Sequence, residues 1–200
     1  MPELLFVFGM NMELAAAPSG ATAIAGGPGF RRATSAIRDA LAQATPTLVI
    51  SAGTCGALRR QHKLGEVFAI SRIDSDLGVF HPRPLPGTQA ILRSQDRVAA
   101  TQSEKAALAA QGADLVDMEA AAVAAVCQER NIPFAAMKAV SDLADEDLPL
   151  DFNRYRAPDG GFQNARIAIA GIMKIRGLMR IQRQSRFAVE KLGEALAHLF

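Results

Sequence analysis

The segment Val116–Asp142, "VDMEAAAVAAVCQERNIPFAAMKAVSD", decides the fold. Its first half is rich in Ala and Val, and over about 118–130 it reads as a buried helix. Its second half, "FAAMKAVS" at 134–141, is an unbroken apolar run of strand length. Continuous rather than alternating apolar character is what a strand covered on both faces requires. The same unit recurs outward from this segment. "LLFVFGM" (4–10), "TLVISAG" (47–53) and "VFAISRI" (67–73) are further strand candidates, with helical patterns at about 30–44 and 103–111. Such alternation predicts a layered α/β fold with a largely parallel sheet. The polar stretch 145–162, broken by Pro149, Pro158 and Gly160–Gly161, reads as a loop, and 163–200 reads as a C-terminal helical segment.

With 200 residues, half of them apolar, the chain can build one sizeable core, and a single domain over 1–200 is expected. A formal charge of +2, one Tyr and no Trp leave little for nucleic acid to bind or stack on. Small-molecule chemistry is the expectation instead. Cys55 and Cys127 lie far apart without a CxxC partner, so neither a zinc site nor a disulfide framework is signalled. They read as buried, reduced thiols of a cytoplasmic protein. The N-terminal apolar run carries Glu3 and no Lys or Arg, which fits a first strand better than a signal peptide. No stretch approaches the roughly 18 apolar residues of a membrane span. From Arg166 to Arg186 every charged residue is basic: Arg166, Lys174, Arg176, Arg180, Arg183 and Arg186. Arg176, Arg180 and Arg183 share a helical face, with Ile172, Ile175, Leu178 and Met179 available for another. That pattern is either a solvated face or a peripheral contact with an anionic membrane or acidic partner.

In a parallel sheet, ligands gather where strands end. Four such places carry polar or glycine signals: "GMNME" (9–13), "SAGTCGAL" (51–58), "VDMEAA" (116–121) and "VSDLADED" (140–147). Asp117 and Glu119 stand at the mouth of an apolar helix. Capping of the free N–H groups accounts for one acid there, and gripping a polar ligand accounts for the other.

Together these motifs, in this order and spacing, resemble the nucleoside phosphorylase superfamily, especially the methylthioadenosine/S-adenosylhomocysteine nucleosidases and the hopanoid-associated phosphorylases. The resemblance implies a three-layer α/β/α fold with a central mixed, largely parallel sheet. It also implies cleavage of the N-glycosidic bond of a purine, adenine-type nucleoside, by phosphorolysis or hydrolysis through a ribosyl cation. Asp142 matches the aspartate that hydrogen-bonds or protonates N7 of the leaving base. To donate a proton at neutral pH, that carboxyl must be raised from about 4 by desolvation. Glu119 matches the glutamate that accepts from ribose hydroxyls, and Met118 the methionine packed on the sugar. Val116, Ser141, Gly53 and Cys55 fall in the same substrate-binding motifs, and Val98 with Ala99 occupies the base-recognition stretch.

Glu13 matches the acid that positions or deprotonates water. Gly27, Gly29, Arg31 and Thr54 match the phosphate or nucleophile loops. Ser51 stands where hexameric purine phosphorylases carry an arginine, for which Arg31 or Arg32 could compensate. His81 is a candidate ribose-end contact. No metal or organic cofactor is implied, only phosphate or water as co-substrate, and the family's habit implies a homo-oligomer. The basic C-terminal run is similar to the hopanoid-associated branch, whose presumed substrate joins adenosine to a lipid. A catalytically degenerate nucleoside-binding protein of the same fold is the alternative.

Overall fold

The computed structural model describes residues 3–200. Eight strands, β1 (Leu4–Phe8), β2 (Thr22–Ala25), β3 (Leu48–Ala57), β4 (Val67–Ser75), β5 (Gly78–Phe80), β6 (Gln89–Ser94), β7 (Leu115–Asp117) and β8 (Phe134–Asp142), form one mixed sheet. β1 pairs parallel with β2 and β3, and β3 with β8; β6 is parallel to β4 and β7. The antiparallel pairs are β3–β7, β4–β5 and β4–β8. Because β8 joins both β3 and β4, the strands β3, β8, β4, β6 and β7 close into a ring.

Alternation along the strands divides the core into layers. On β1, Leu5 and Val7 face α1 (Phe30–Leu41) and α3 (Ala120–Glu129), packing with Ile37, Leu41, Val123, Val126 and Cys127. Phe6 and Phe8 face the other way, onto Ala188, Val189, Leu192 and Leu196 of α5 (Ile175–Leu199). The i, i+4 spacing of Ala188, Leu192 and Leu196, with Val189 three residues before Leu192, makes the stripe that lies on the sheet. Burying each Leu or Val of this kind is worth about 1.5–3 kcal/mol, so both helical layers are held by apolar contact. Sheet and helices therefore follow the expected three-layer plan.

α3 begins two residues later than its pattern predicts, because 115–117 is drawn into the sheet as β7. It ends at Glu129, with Arg130 as its C-terminal cap, after which Asn131 takes a left-handed φ of 54° and turns the chain toward β8. α2 (Gln102–Ala110) is started by a Thr101–Glu104 capping box. β2, β5, β6 and β7 are absent from the sequence expectation, being short or only partly apolar. The 145–162 loop contains a 3-10 turn, Phe152–Tyr155, and the C-terminal segment breaks into α4 (Asn164–Gly171), a 3-10 turn (Ile172–Lys174) and α5.

Candidate active site

The parallel strands β1, β3 and β8 end on the same edge of the sheet, and the acidic residues collect there. After β1 the chain passes Gly9 and enters a 3-10 turn, Asn11–Ala16, which brings Glu13 back over the strand ends. The Glu13 carboxylate is buried and fully engaged. Its Oε2 accepts from the Gly9 and Met10 N–H groups (3.0 and 2.8 Å), and its Oε1 accepts from the Thr54 N–H and Oγ (both 2.7 Å). Gly53 permits this approach: at a φ of 150°, a side chain there would put its Cβ 3.2 Å from both Glu13 oxygens.

Glu119 lies just ahead of α3. Its Oε1 accepts from Gly29 N–H at 3.0 Å and its Oε2 from Met118 N–H at 3.2 Å, while a Cβ on Gly9 would sit 3.1 Å from its carboxyl carbon. Glu13 and Glu119 therefore meet over Gly9. Part of the Glu119 residue is accessible, but its carboxyl lies in the dry interior. Burial first, and the neighbouring Asp117 charge second, push it up to about 8, against the pull of Lys138.

Lys138, in the middle of β8, is buried beneath these acids. Its Nζ lies 2.8 Å from Asp117 Oδ2 and 3.4 Å from Ser51 Oγ. Burial alone would lower its affinity for a proton, but Asp117, Glu119 and Glu13 outweigh that and hold the ammonium above the ordinary lysine range. Asp117 has the capping duty expected of it, since its Oδ2 also accepts from Ala120 N–H at 3.0 Å. Ser51 thus has a cation beside it, supplied by β8 rather than by Arg31 or Arg32. Arg31 donates to Pro158 O at 2.8 Å, and Arg32 pairs with Asp159 on the surface.

Asp142 closes β8, opposite Gly56 of β3, whose absent side chain leaves the Asp142 Oδ1 3.0 Å from the Cβ position. The lone, desolvated carboxyl expected there is instead half of an ion pair. Lys105 Nζ, from α2, lies 2.5 Å from Asp142 Oδ1, and the lysine side chain is wholly buried. The same ammonium donates to Leu143 O at 2.6 Å and Glu146 O at 3.1 Å, so its three protons have three acceptors. Ser141 Oγ stands 3.3 Å from Asp142 Oδ2 and 3.2 Å from Cys55 O. Gly53, beside Glu13, and Gly56, beside Asp142, are separated along β3 by about 10 Å.

The remaining candidates frame these acids. Val98 N–H donates to Asn153 Oδ1 and Val98 O accepts from Asn153 Nδ2, both at 2.9 Å, so the 3-10 turn at 152–155 pins the proposed base stretch; Ala99 beside it is buried. Val116 is buried against Gly56, Met118 is half-buried, and Thr54 and Cys55 follow Gly53 along β3. Gly29 (φ 89°) precedes α1 and is covered by Arg156 and Asp96, themselves paired at 2.7 Å. Gly27 is packed under Arg32. His81 is exposed. Burial pushes the Cys55 thiol well up and raises Cys127 to about 12, so both are inert as nucleophiles at neutral pH. Among the described residues, no group of three or more His, Cys, Asp or Glu is placed to hold a metal ion. Lys105 and Lys138 were not anticipated; a lysine inside "FAAMKAVS" was the one available signal, since a buried lysine needs an acid.

Residues 88–171 match the model of the Phosphorylase superfamily. The chain is 31% identical over 130 residues to a 5'-methylthioadenosine nucleosidase of Arabidopsis thaliana, a match covering 52% of this chain. It spans about half the length of that relative, 47%. Among solved structures, it is similar to the 5'-methylthioadenosine/S-adenosylhomocysteine nucleosidase from Neisseria meningitidis in complex with methylthio-immucillin-A. That match has a TM-score of 0.74 and 16% identity and covers 100% of this chain and 98% of the other. The Helicobacter pylori nucleosidase matches with a TM-score of 0.73 and 14% identity over 98% and 96% of the two chains. The futalosine hydrolase of Helicobacter pylori matches at 0.65 and 15%, over 98% and 100%. These likenesses establish the fold.

Proposed function

We propose, from a chain with the nucleoside phosphorylase superfamily's fold and its signature over residues 88–171, that this protein cleaves the N-glycosidic bond of a purine nucleoside. The observation that carries the reading is the gathering of Glu13, Glu119 and Asp142 on one sheet edge over glycines at 9, 53 and 56. As the bond breaks, positive charge grows on the ribose and electrons flow into the base. Glu119, beside Met118, accepts from the ribose hydroxyls and gains strength as the sugar becomes cationic. Asp142 serves the leaving purine at N7 by passing it a proton, which the Lys105 ammonium paired with its Oδ1 supplies to the carboxylate as electrons flow into the base. Glu13, its four acceptor positions filled, orients the attacking water through Thr54 Oγ, whose lone pairs stay free, and takes the water's proton when that hydroxyl turns away.

Hydrolysis is the favoured form. The Gly29 N–H that a phosphate would need is already given to Glu119, and the Glu13 carboxylate at the sugar end repels an anion. The reading extends to an adenine-type base, a lipid-like substituent on the ribose of the hopanoid-associated kind, a homo-oligomer and a peripheral contact of the basic C-terminal helix with membrane. Purified protein incubated with adenosine, inosine, methylthioadenosine and S-adenosylhomocysteine, with and without phosphate, tests it. Base release independent of phosphate is expected. Strict phosphate dependence replaces hydrolysis by phosphorolysis, and no release from any of them refutes cleavage of these nucleosides.

One observation favours a second reading, a nucleoside-binding protein without turnover: the Lys105 ion pair occupies the carboxyl that should serve the base. Thermal stabilisation by adenine with no base released would support it.

A further inference from the structure

The face formed by α4, the following 3-10 turn and the first half of α5 has no protein partner. Of ten large apolar side chains that stand exposed among the described residues, five fall between 169 and 179: Ile169, Ile172, Met173, Ile175 and Met179. Met173 is 92% exposed, and Ile172 through Arg176 are five exposed residues in succession. Spacings of three and four residues bring Ile169 beside Ile172 and Met173 on α4 and the turn after it, and Ile175 beside Met179 on α5, so the two pieces together make an apolar stripe. Six cations flank it, and from Gly160 to Val189 there is no Asp or Glu. Arg180 reaches Glu146 and Asp147 O, and Arg166 reaches Gln163. Lys174, Arg176, Arg183 and Arg186 find no carboxylate among the described residues. The same face edges a groove of about 840 Å³ against Asp147, Leu148 and Pro149, a few residues beyond Asp142.

We propose that this face docks on an anionic lipid bilayer, with the Ile169–Met179 stripe sunk at the headgroup boundary and the unpaired cations against lipid phosphates. Apolar side chains that protrude among cations suit a surface with a wet negative layer over a dry interior. A second copy of this chain fits poorly, because a two-fold contact sets the same acid-free cationic face against itself. No helix of the described residues is long and apolar enough to cross a membrane, so the contact lies in the interface plane. Docking turns the groove beside Pro149 toward the lipid. The inference does not depend on the chemistry assigned to the acids.

Co-sedimentation with vesicles of equal parts phosphatidylglycerol and phosphatidylcholine, against pure phosphatidylcholine, tests it in the absence of any nucleoside. Binding is expected only to the anionic vesicles and should weaken with salt. Each cation contributes roughly a fivefold gain in partitioning. Joint Lys174→Gln, Arg176→Gln, Arg183→Gln and Arg186→Gln substitution should then cut binding by about two to three orders of magnitude. Ile172→Ser with Met173→Ser should weaken it with the charges intact. All six positions are exposed, and circular dichroism checks that the variants remain folded. Absence of binding to anionic vesicles overturns the proposal, as does equal binding by the variants. Self-association lost in the Ile172→Ser/Met173→Ser variant while vesicles are ignored overturns it too, and makes the face an interface between copies.

Discussion

Replacing Lys105 with Met tests whether the site is organised as described. The substitution keeps most of the volume of the stem and removes an ammonium that is wholly buried and satisfies Asp142 Oδ1, Leu143 O and Glu146 O. Removing one partner of a buried ion pair costs about 3–5 kcal/mol, because the remaining charge loses its compensation. Asp142 keeps 15% of its side chain in contact with solvent, so the lower end, about 3 kcal/mol, is the better figure. For a chain of this size, each kcal/mol moves the melting temperature by about 2–4 °C, giving a fall of about 6–12 °C. Thermal or urea unfolding of wild type, Lys105→Met, Asp142→Asn and the double variant closes a double-mutant cycle. Lys105→Met should cost about 1–2 kcal/mol less in the Asp142→Asn background, where only the two carbonyls lose their donor. A loss below about 1 kcal/mol, or an equal loss in both backgrounds, would refute the pairing and with it the second reading of the function.

Glu119→Gln tests the buried acid through pH. Titrating near 8 in the folded protein against about 4.5 unfolded, Glu119 binds more protons when folded across that window, so its contribution to stability falls as pH rises from about 4.5 to 8. The variant should therefore be more stable than wild type at pH 8, by about 4 kcal/mol, and match it near pH 4.5; a pH-independent difference would contradict the burial argument. Gly29→Ala places a Cβ 2.6 Å from both Arg156 Nη2 and Asp96 Oδ1 at a φ of 89°. It should cost about 2–3 kcal/mol in urea denaturation, and an unchanged midpoint would show that the loop can move. If bond cleavage is the function, Asp142→Asn and Glu13→Gln should each lower kcat by about a hundredfold or more while nucleoside binding persists in calorimetry. Undiminished turnover in either variant would remove that residue from its role.

The strands at 4–8, 48–57, 67–75 and 134–142 were legible because each opens on an unbroken apolar run, LLFVF, LVI, VFAI and FAAM, that is covered on both faces. β2, β5, β6 and β7 have only three to six residues each, too few for a period, and become strands because longer neighbours supply the hydrogen-bond edge. The acids at 13, 119 and 142 could be singled out because they fall in polar motifs at strand ends and at the mouth of an apolar helix, and because those motifs together resemble a known family. Their partners could not. Asn153, which pins Val98, sits in a stretch that reads simply as loop.

By itself, then, the sequence determined the layering, through which residues refuse water, and the positions of the acids, through where strands must stop. Only the tertiary structure decided the charge state of the neighbourhood. Lys138 sits under Asp117 and Lys105 against Asp142 because ring closure and the docking of α2 bring together residues 21 and 37 positions apart. A lysine's local sequence cannot announce this, since its cost or benefit depends on whether an acid is within a few ångströms once water has been excluded.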